Sequence, residues 1–306
     1  MENPFVEQKP SDKYNSVNAV VTAAKEKDTR QKAVLLIAAH CHPVVLKMTL
    51  GTWLVHYDGS YDADVYVSLH KNYHHYFPKS GLDEIKAMEG AVRLIFVDEI
   101  NWSIKDQLES MMRYSTMHAI CLQAMMKEAA VKSGDFTHVA VLDHDLIFKD
   151  DFILWAMQEN ADMVGCLLDD RSSPTEVQTH LGIPITFAPK ISAWHLVISR
   201  FLFDMAVKNP SMVEPCYRDH RMHDTLSLLY EVAQSKGLAK IFPSAEIEKH
   251  VKHLWGMSFN YGLSLGRERY GAILGKLNED YVRMFPRGID NLLMKLRCQR
   301  GQGLCT

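Results

Sequence analysis

Apolar residues in the first half of the chain come in short unbroken runs, each followed by a polar break and then a helical stretch. Ala33-Val34-Leu35-Leu36-Ile37-Ala38-Ala39 ends abruptly at His40-Cys41-His42-Pro43. A run without alternation is what a strand covered on both faces requires. Residues 44–56 then place Val45, Met48 and Trp53 at helical spacing. Further strands are predicted at 64–69, 91–97, 137–142 and 162–168, with a long Met-, Leu- and Ala-rich helix over 103–132. Strand alternating with helix predicts an α/β domain with a mostly parallel central sheet flanked by helices. Such sheets bind ligands at the carboxyl ends of their strands, which directs attention to residues 40–42, 70–72, 98–99 and 143–145.

In the second half, residues 191–200 predict a strand leading into a helix. Residues 220–237 carry helical spacing at Leu226, Leu229 and Val232, with Gly237 as a C-cap and Asp224 in the first turn. No break in composition divides the chain. The reading is an N-terminal extension over 1–32, one catalytic domain over 33–260 and a helical C-terminal extension over 261–306.

Composition narrows the classes. A 47% hydrophobic and 23% charged balance over 306 residues supports one sizeable soluble core. The net charge of −3 gives no overall attraction to nucleic acid, so a duplex-binding role is disfavoured. Six cysteines lie far apart with no C-x-x-C pair, which suits a reducing compartment better than a disulfide scaffold. The first thirty residues lack a signal-type apolar stretch, and no apolar run is long enough to cross a bilayer. The expectation is a cytoplasmic protein. The cations around Leu292-Leu293-Met294 (Arg283, Arg287, Lys295, Arg297, Arg300) leave room for peripheral contact with a membrane.

The sharpest chemical signal is Asp143-His144-Asp145 at the end of the run Val139–Leu142. Two carboxylates two residues apart on an extended segment point to one side. Together they resist ionisation unless a cation neutralises them. A magnesium-type ion takes one or two carboxylates plus phosphate oxygens, which fits that pair. Alone the triplet is common, and two surface carboxylates at a strand end would explain it. Its weight comes from the buried strand before it and the three strand–helix units upstream.

Val-Leu-Asp-His-Asp-Leu-Ile-Phe, after a long helix and before a short one, resembles the metal-binding D-x-D segment of GT-A-fold glycosyltransferases. The resemblance runs over about residues 33–260 by motif order. It implies a GT-A-like single domain, a nucleotide-binding half followed by an acceptor-binding half. It also implies transfer of a sugar from a nucleotide-diphosphate sugar, such as a UDP-sugar, to a carbohydrate or glycoconjugate hydroxyl. By this likeness Asp145 is a direct ligand of Mn2+ or Mg2+, and Asp143 meets metal, ribose or both, with His144 a spacer.

The same likeness assigns further roles. His253, in His250-Val251-Lys252-His253, would complete the metal shell, with Lys252 near the leaving diphosphate. Asp224 would be the acceptor base; this chain has His-Asp where many such enzymes have Glu-Asp, and helix capping is the competing role. Trp194 and His195 would face the acceptor, or belong to the core. His40, Lys71, Asn72 and Arg113 are candidates for the nucleotide. His40 and His42 also form a His-x-His pair, but no third ligand stands near them in sequence, which argues against zinc. Two other classes remain open: a haloacid-dehalogenase-like phosphatase using Asp143 as nucleophile, with Asp169-Asp170 as its acidic pair, or a non-catalytic nucleotide-sugar-binding protein. No P-loop or dinucleotide fingerprint is present.

Overall fold

A computed structural model describes residues 31–71, 79–98, 113–168, 175–178, 184–218, 221–254 and 267–299. Residues 1–30 of the N-terminal extension, Asn72, Asp169-Asp170 and Arg300 lie outside the described residues, as does the side chain of Arg113, whereas Lys32 already belongs to the first strand.

The expected alternation is present. Strands β1 (Lys32–Ala38), β2 (Asp62–His70), β3 (Arg93–Val97) and β4 (His138–Asp143) are separated by helices α1 (Pro43–His56), α2 (Lys79–Lys86) and α3 (Arg113–Lys132). They join β6 (Met163–Gly165), β9 (His195–Ser199) and β12 (Ala239–Ile241) in a seven-stranded sheet ordered β12-β6-β9-β4-β1-β2-β3. Four pairings are parallel. The other two are antiparallel, because β9 runs between β4 and β6 against both. The protein is thus α/β, with a mixed but mostly parallel sheet.

β1 shows why its sequence does not alternate. Ala33, Leu35 and Ile37 face one core, while Val34, Leu36 and Ala38 face the other. The first core holds α1 against α8 (Arg267–Met284) and α9 (Asp290–Gln299), through Trp53, Leu54, Phe285, Ile289 and Leu293, and takes in Phe152 and Ile153 of α4 (Phe152–Gln158). The second holds α3, α5 (Arg200–Lys208) and α6 (Ser227–Ser235), through Leu122, Met125, Phe203 and Leu229. Helix α1 is buried along nearly its whole length, so its sequence is apolar all round rather than amphipathic. Gly51 makes this fit possible. A Cβ there would stand 2.7 Å from the Phe285 ring and 2.9 Å from Ile289.

The C-terminal helices close over this layer. Lys295 Nζ donates to the Leu54 and Tyr57 carbonyls at the end of α1, both at 2.9 Å, and Arg297 donates to Ala87 O at 3.2 Å. These two cations of the basic C-terminal segment are therefore engaged with their own domain. No helix among the described residues is long and apolar enough to cross a membrane.

Two smaller sheets were not visible in the hydrophobic pattern. β7 (Thr175–Gln178), β8 (Pro184–Phe187), β10 (Cys216–Arg218) and β11 (Arg221–His223) pair in the order β10-β11-β8-β7. β5 (Leu146–Phe148) pairs antiparallel with β13 (Val251–His253), which follows α7 (Ser244–His250). The expected helix over 220–237 starts only at Ser227. Residues 221–223 are drawn into the β8 ladder instead, and Leu226 takes a left-handed turn at φ 62°.

Candidate metal centre

The Asp143–Asp145 segment leaves the C-terminal end of β4, next to β1 at the middle of the sheet. Its position is fixed from below by α1. Thr49 Oγ1 donates to His144 O at 2.5 Å and accepts from Leu146 N at 3.0 Å. Thr52, one turn on, accepts from Phe148 N at 3.2 Å. Two hydroxyls at i and i+3 of one buried helix thus satisfy backbone groups that no strand neighbour reaches. His144 is more than a spacer. It is 2% exposed, and its Nδ1 meets Ala38 O at 2.8 Å, tying the segment to β1.

His253 lies more than one hundred residues further along. The β5–β13 ladder sets it opposite Leu146, and Leu254 N donates to Asp145 O at 2.9 Å. His253 Nε2 comes within 2.8 Å of Asp145 Oδ1 and 3.6 Å of Asp143 Oδ2. One donor atom from each residue lies within 4.8 Å of the others. Trp194 stacks on His253 with centroids 5.0 Å apart and planes 10° apart, forming one wall of the centre.

The residues fit a hard divalent ion. Adjacent ligands about 2.1 Å from an octahedral Mg2+ stand about 3.0 Å apart, close to the 2.8 Å separation of Asp145 and His253. Asp145 Oδ1 is buried and faces His253 Nε2 without a well-aligned hydrogen bond between them, a pair of donor atoms that a cation would satisfy. Burial opposes a charge on His253, yet Asp143 and Asp145 outweigh it and push its pKa up to about 9. Burial likewise opposes ionisation of Asp143, but His144 and His253 hold it well below the usual carboxylate range. The two carboxylates therefore gather positive charge, from a proton or from a metal. Two carboxylates and an imidazole suit Mg2+ or Mn2+ rather than a thiophilic ion.

The other expected residues divide. Asp224 sits on the turn between β11 and α6. Its Oδ1 accepts from Thr225 N at 2.7 Å, and no side chain caps α6, so the capping role is not the one it fills. Lys190 Nζ lies 3.7 Å from Asp224 Oδ2. Thr225 Oγ1, next to Asp224, donates to Ser115 O on α3 at 2.8 Å, and buried His118 on the same helix feels the charges of both Asp143 and Asp224. Leu226 beside it is fully buried in a left-handed conformation, a strain that packing must sustain. His195 turns inward and lies 3.0 Å from Cys166 Sγ; burial brings its pKa down to about 3. Lys252 is exposed, on the opposite side of β13 from His253. Lys71 pairs with Asp98 at the exposed end of β2. His40 stacks on His70, with centroids 4.2 Å apart.

The hydrophobic pattern gave no sign of Thr49, Thr52, His118 or Lys190. Only the Thr49-x-x-Thr52 spacing on an otherwise apolar helix marks a polar stripe that needs a buried partner.

No protein-family model matches this sequence, and comparison with curated proteins gives no match. Among solved structures, the chain is similar to the nucleoside-diphosphate-sugar pyrophosphorylase from Vibrio cholerae RC9. Identity is 9% over 72% of this chain and 94% of that one, with a TM-score of 0.41. A likeness at that level decides no activity, so the function must be argued from the site itself.

Proposed function

We propose that this protein is a metal-dependent glycosyltransferase acting on a nucleotide-diphosphate sugar. One observation carries the reading: His253, distant in sequence, converges with Asp143 and Asp145 at the C-terminal end of a central strand. That is the edge of an α/β sheet where ligands bind. In this reading Mg2+ or Mn2+ held by the three residues supplies charge neutralisation for a leaving diphosphate.

The chain's own groups then have distinct tasks. Asp145 and His253 orient the diphosphate end, held in place by Thr49, Thr52 and the β5–β13 ladder. Trp194 shields the centre from water on one side. Asp224 accepts the proton of the attacking hydroxyl, a task that needs a carboxylate within hydrogen-bond reach of the acceptor. Lys190 Nζ stands 3.7 Å from its Oδ2. The donor's nucleoside would lie along the ends of β1 and β2, where Lys71 is exposed, with Asn72 and Arg113 as further contacts. The catalytic unit spans 33–260, with the C-terminal helices as its cover.

Calorimetric titration with uridine diphosphate, with and without Mn2+, tests the reading. Binding that requires Mn2+ and is lost in Asp145→Asn is expected. Absence of Mn2+-dependent binding of uridine, guanosine or thymidine diphosphates would sink it. Mass-spectrometric turnover of a nucleotide sugar, lost in Asp224→Asn while Mn2+ binding persists, is expected of the base.

A further inference from the structure

We propose that His40, His70 and Cys121 form a second metal site, one that takes zinc or a similar borderline divalent transition metal. The fold builds it from three elements. β1 and β2 are parallel with Ala38 opposite Ser68, and continuing that register sets His40 level with His70. Neighbouring strands are about 4.8 Å apart, and the two rings stack with centroids 4.2 Å apart and planes at 26°. Helix α3 crosses this edge and brings Cys121 Sγ to 3.8 Å from His40 Nε2. One donor atom of each residue lies within 4.8 Å of the other two.

The distances suit tetrahedral coordination. Zn–S of about 2.3 Å and Zn–N of about 2.05 Å place sulfur and nitrogen about 3.6 Å apart, against the 3.8 Å here. The donor set also differs in kind from the other centre. A thiolate and two imidazoles select zinc-class ions, whereas two carboxylates and one imidazole select Mg2+ or Mn2+. The protonation states agree. Burial keeps His40 neutral, the form that ligates. Burial pushes the Cys121 thiol up to about 11, so binding must break its S–H bond: the sulfur pair goes to the metal and the proton to solvent. Three protein donors leave one position for water, the pattern of zinc sites that do chemistry.

His42, which the sequence pairs with His40, is not part of the cluster. Its Nδ1 accepts from Val44 N at 3.3 Å and caps α1. In this assignment His40 is a ligand rather than a nucleobase contact.

The test is Co2+ substitution in the full chain after chelation. A thiolate-to-cobalt charge-transfer band in the near ultraviolet is expected, displaced by Zn2+, absent in Cys121→Ser and retained in Asp145→Asn. Retention in Asp145→Asn separates this site from the nucleotide-sugar reading. His70→Gln is expected to weaken cobalt binding at least about tenfold. Circular dichroism checks that each variant folds; should Cys121→Ser not fold, His70→Gln decides. Absence of the band in the wild type, its persistence in Cys121→Ser, or unchanged affinity in His70→Gln would overturn the proposal.

Discussion

Thr49→Val replaces a hydroxyl with a methyl group of nearly the same shape, so packing on α1 changes little. What it removes is specific. The hydroxyl donates to His144 O at 2.5 Å and accepts from Leu146 N at 3.0 Å. Thr49 is 1%, His144 2% and Leu146 0% exposed, so water cannot replace either bond. Each stranded backbone group costs about 1–3 kcal/mol, so two stranded groups should cost about 2–4 kcal/mol after local relaxation. For a chain of this size that is a fall of about 3–6 °C in melting temperature. Thr49→Ser keeps the hydroxyl and loses only a methyl, for about 1 kcal/mol. The assay is thermal and chemical denaturation of both variants beside the wild type, with Mn2+ affinity measured by calorimetry. The segment that carries Asp143 and Asp145 loses its floor, so Thr49→Val should also bind Mn2+ about tenfold more weakly or worse, while Thr49→Ser stays near wild type. If Thr49→Val were as stable and as tight as Thr49→Ser, the claim that α1 fixes the Asp143–Asp145 segment would be wrong.

Asp145→Asn and His253→Ala should each weaken Mn2+ binding by more than about tenfold, since a ligand matters at least as much as the groups that support it; calorimetry reads this, and unchanged affinity in both would remove the centre. Gly51→Ala should destabilise by about 1–3 kcal/mol, because the new methyl meets Phe285 at 2.7 Å and Ile289 at 2.9 Å; denaturation should show it, and Phe285→Leu in the same chain should recover part of the loss. His195 is neutral in the fold down to about pH 3, while in the unfolded chain it takes up a proton below about 6.5. The unfolded state therefore binds more protons between those values, and stability falls with falling pH by up to about 1.4 kcal/mol per unit from this residue. Chemical denaturation at pH 7, 6 and 5 should show a slope that His195→Gln makes shallower by about one proton.

Much of the frame is legible in the residues because burial on both faces leaves a direct mark. A strand with a core on each side cannot alternate, so β1 and β4 stand out as continuous apolar runs, and β2 as one interrupted by Asp64 and Ser68. Helix α1 follows at once, its start set by Pro43 and His42. The three-residue strands leave no such mark. β5, β11 and β13 are too short for a period, and tertiary pairing decides them against local preference. That is why residues 221–223, which fit a helical spacing, are found in a strand. The antiparallel course of β9 is equally silent in sequence, since a buried strand reads the same in either direction.

The candidate sites divide along the same line. Asp143 and Asp145 were visible because two residues on one extended segment must share a side. Which histidine joined them was not a local question. His250 and His253 were both within range, and the β13 register put His253 at Asp145 while His250 went to Asp150 at 2.7 Å. His40 shows the limit most clearly. Sequence neighbours suggested His42 as its partner, whereas parallel pairing of β1 with β2 supplied His70, and the crossing of α3 supplied Cys121. The sequence by itself determined the α/β class, the buried strands and the edge of the sheet where chemistry gathers. These are properties of hydrophobic burial, which each segment records in its own composition. Only the tertiary structure decided which distant side chains meet there, because strand register and helix crossing belong to pairs of segments and are written in neither alone.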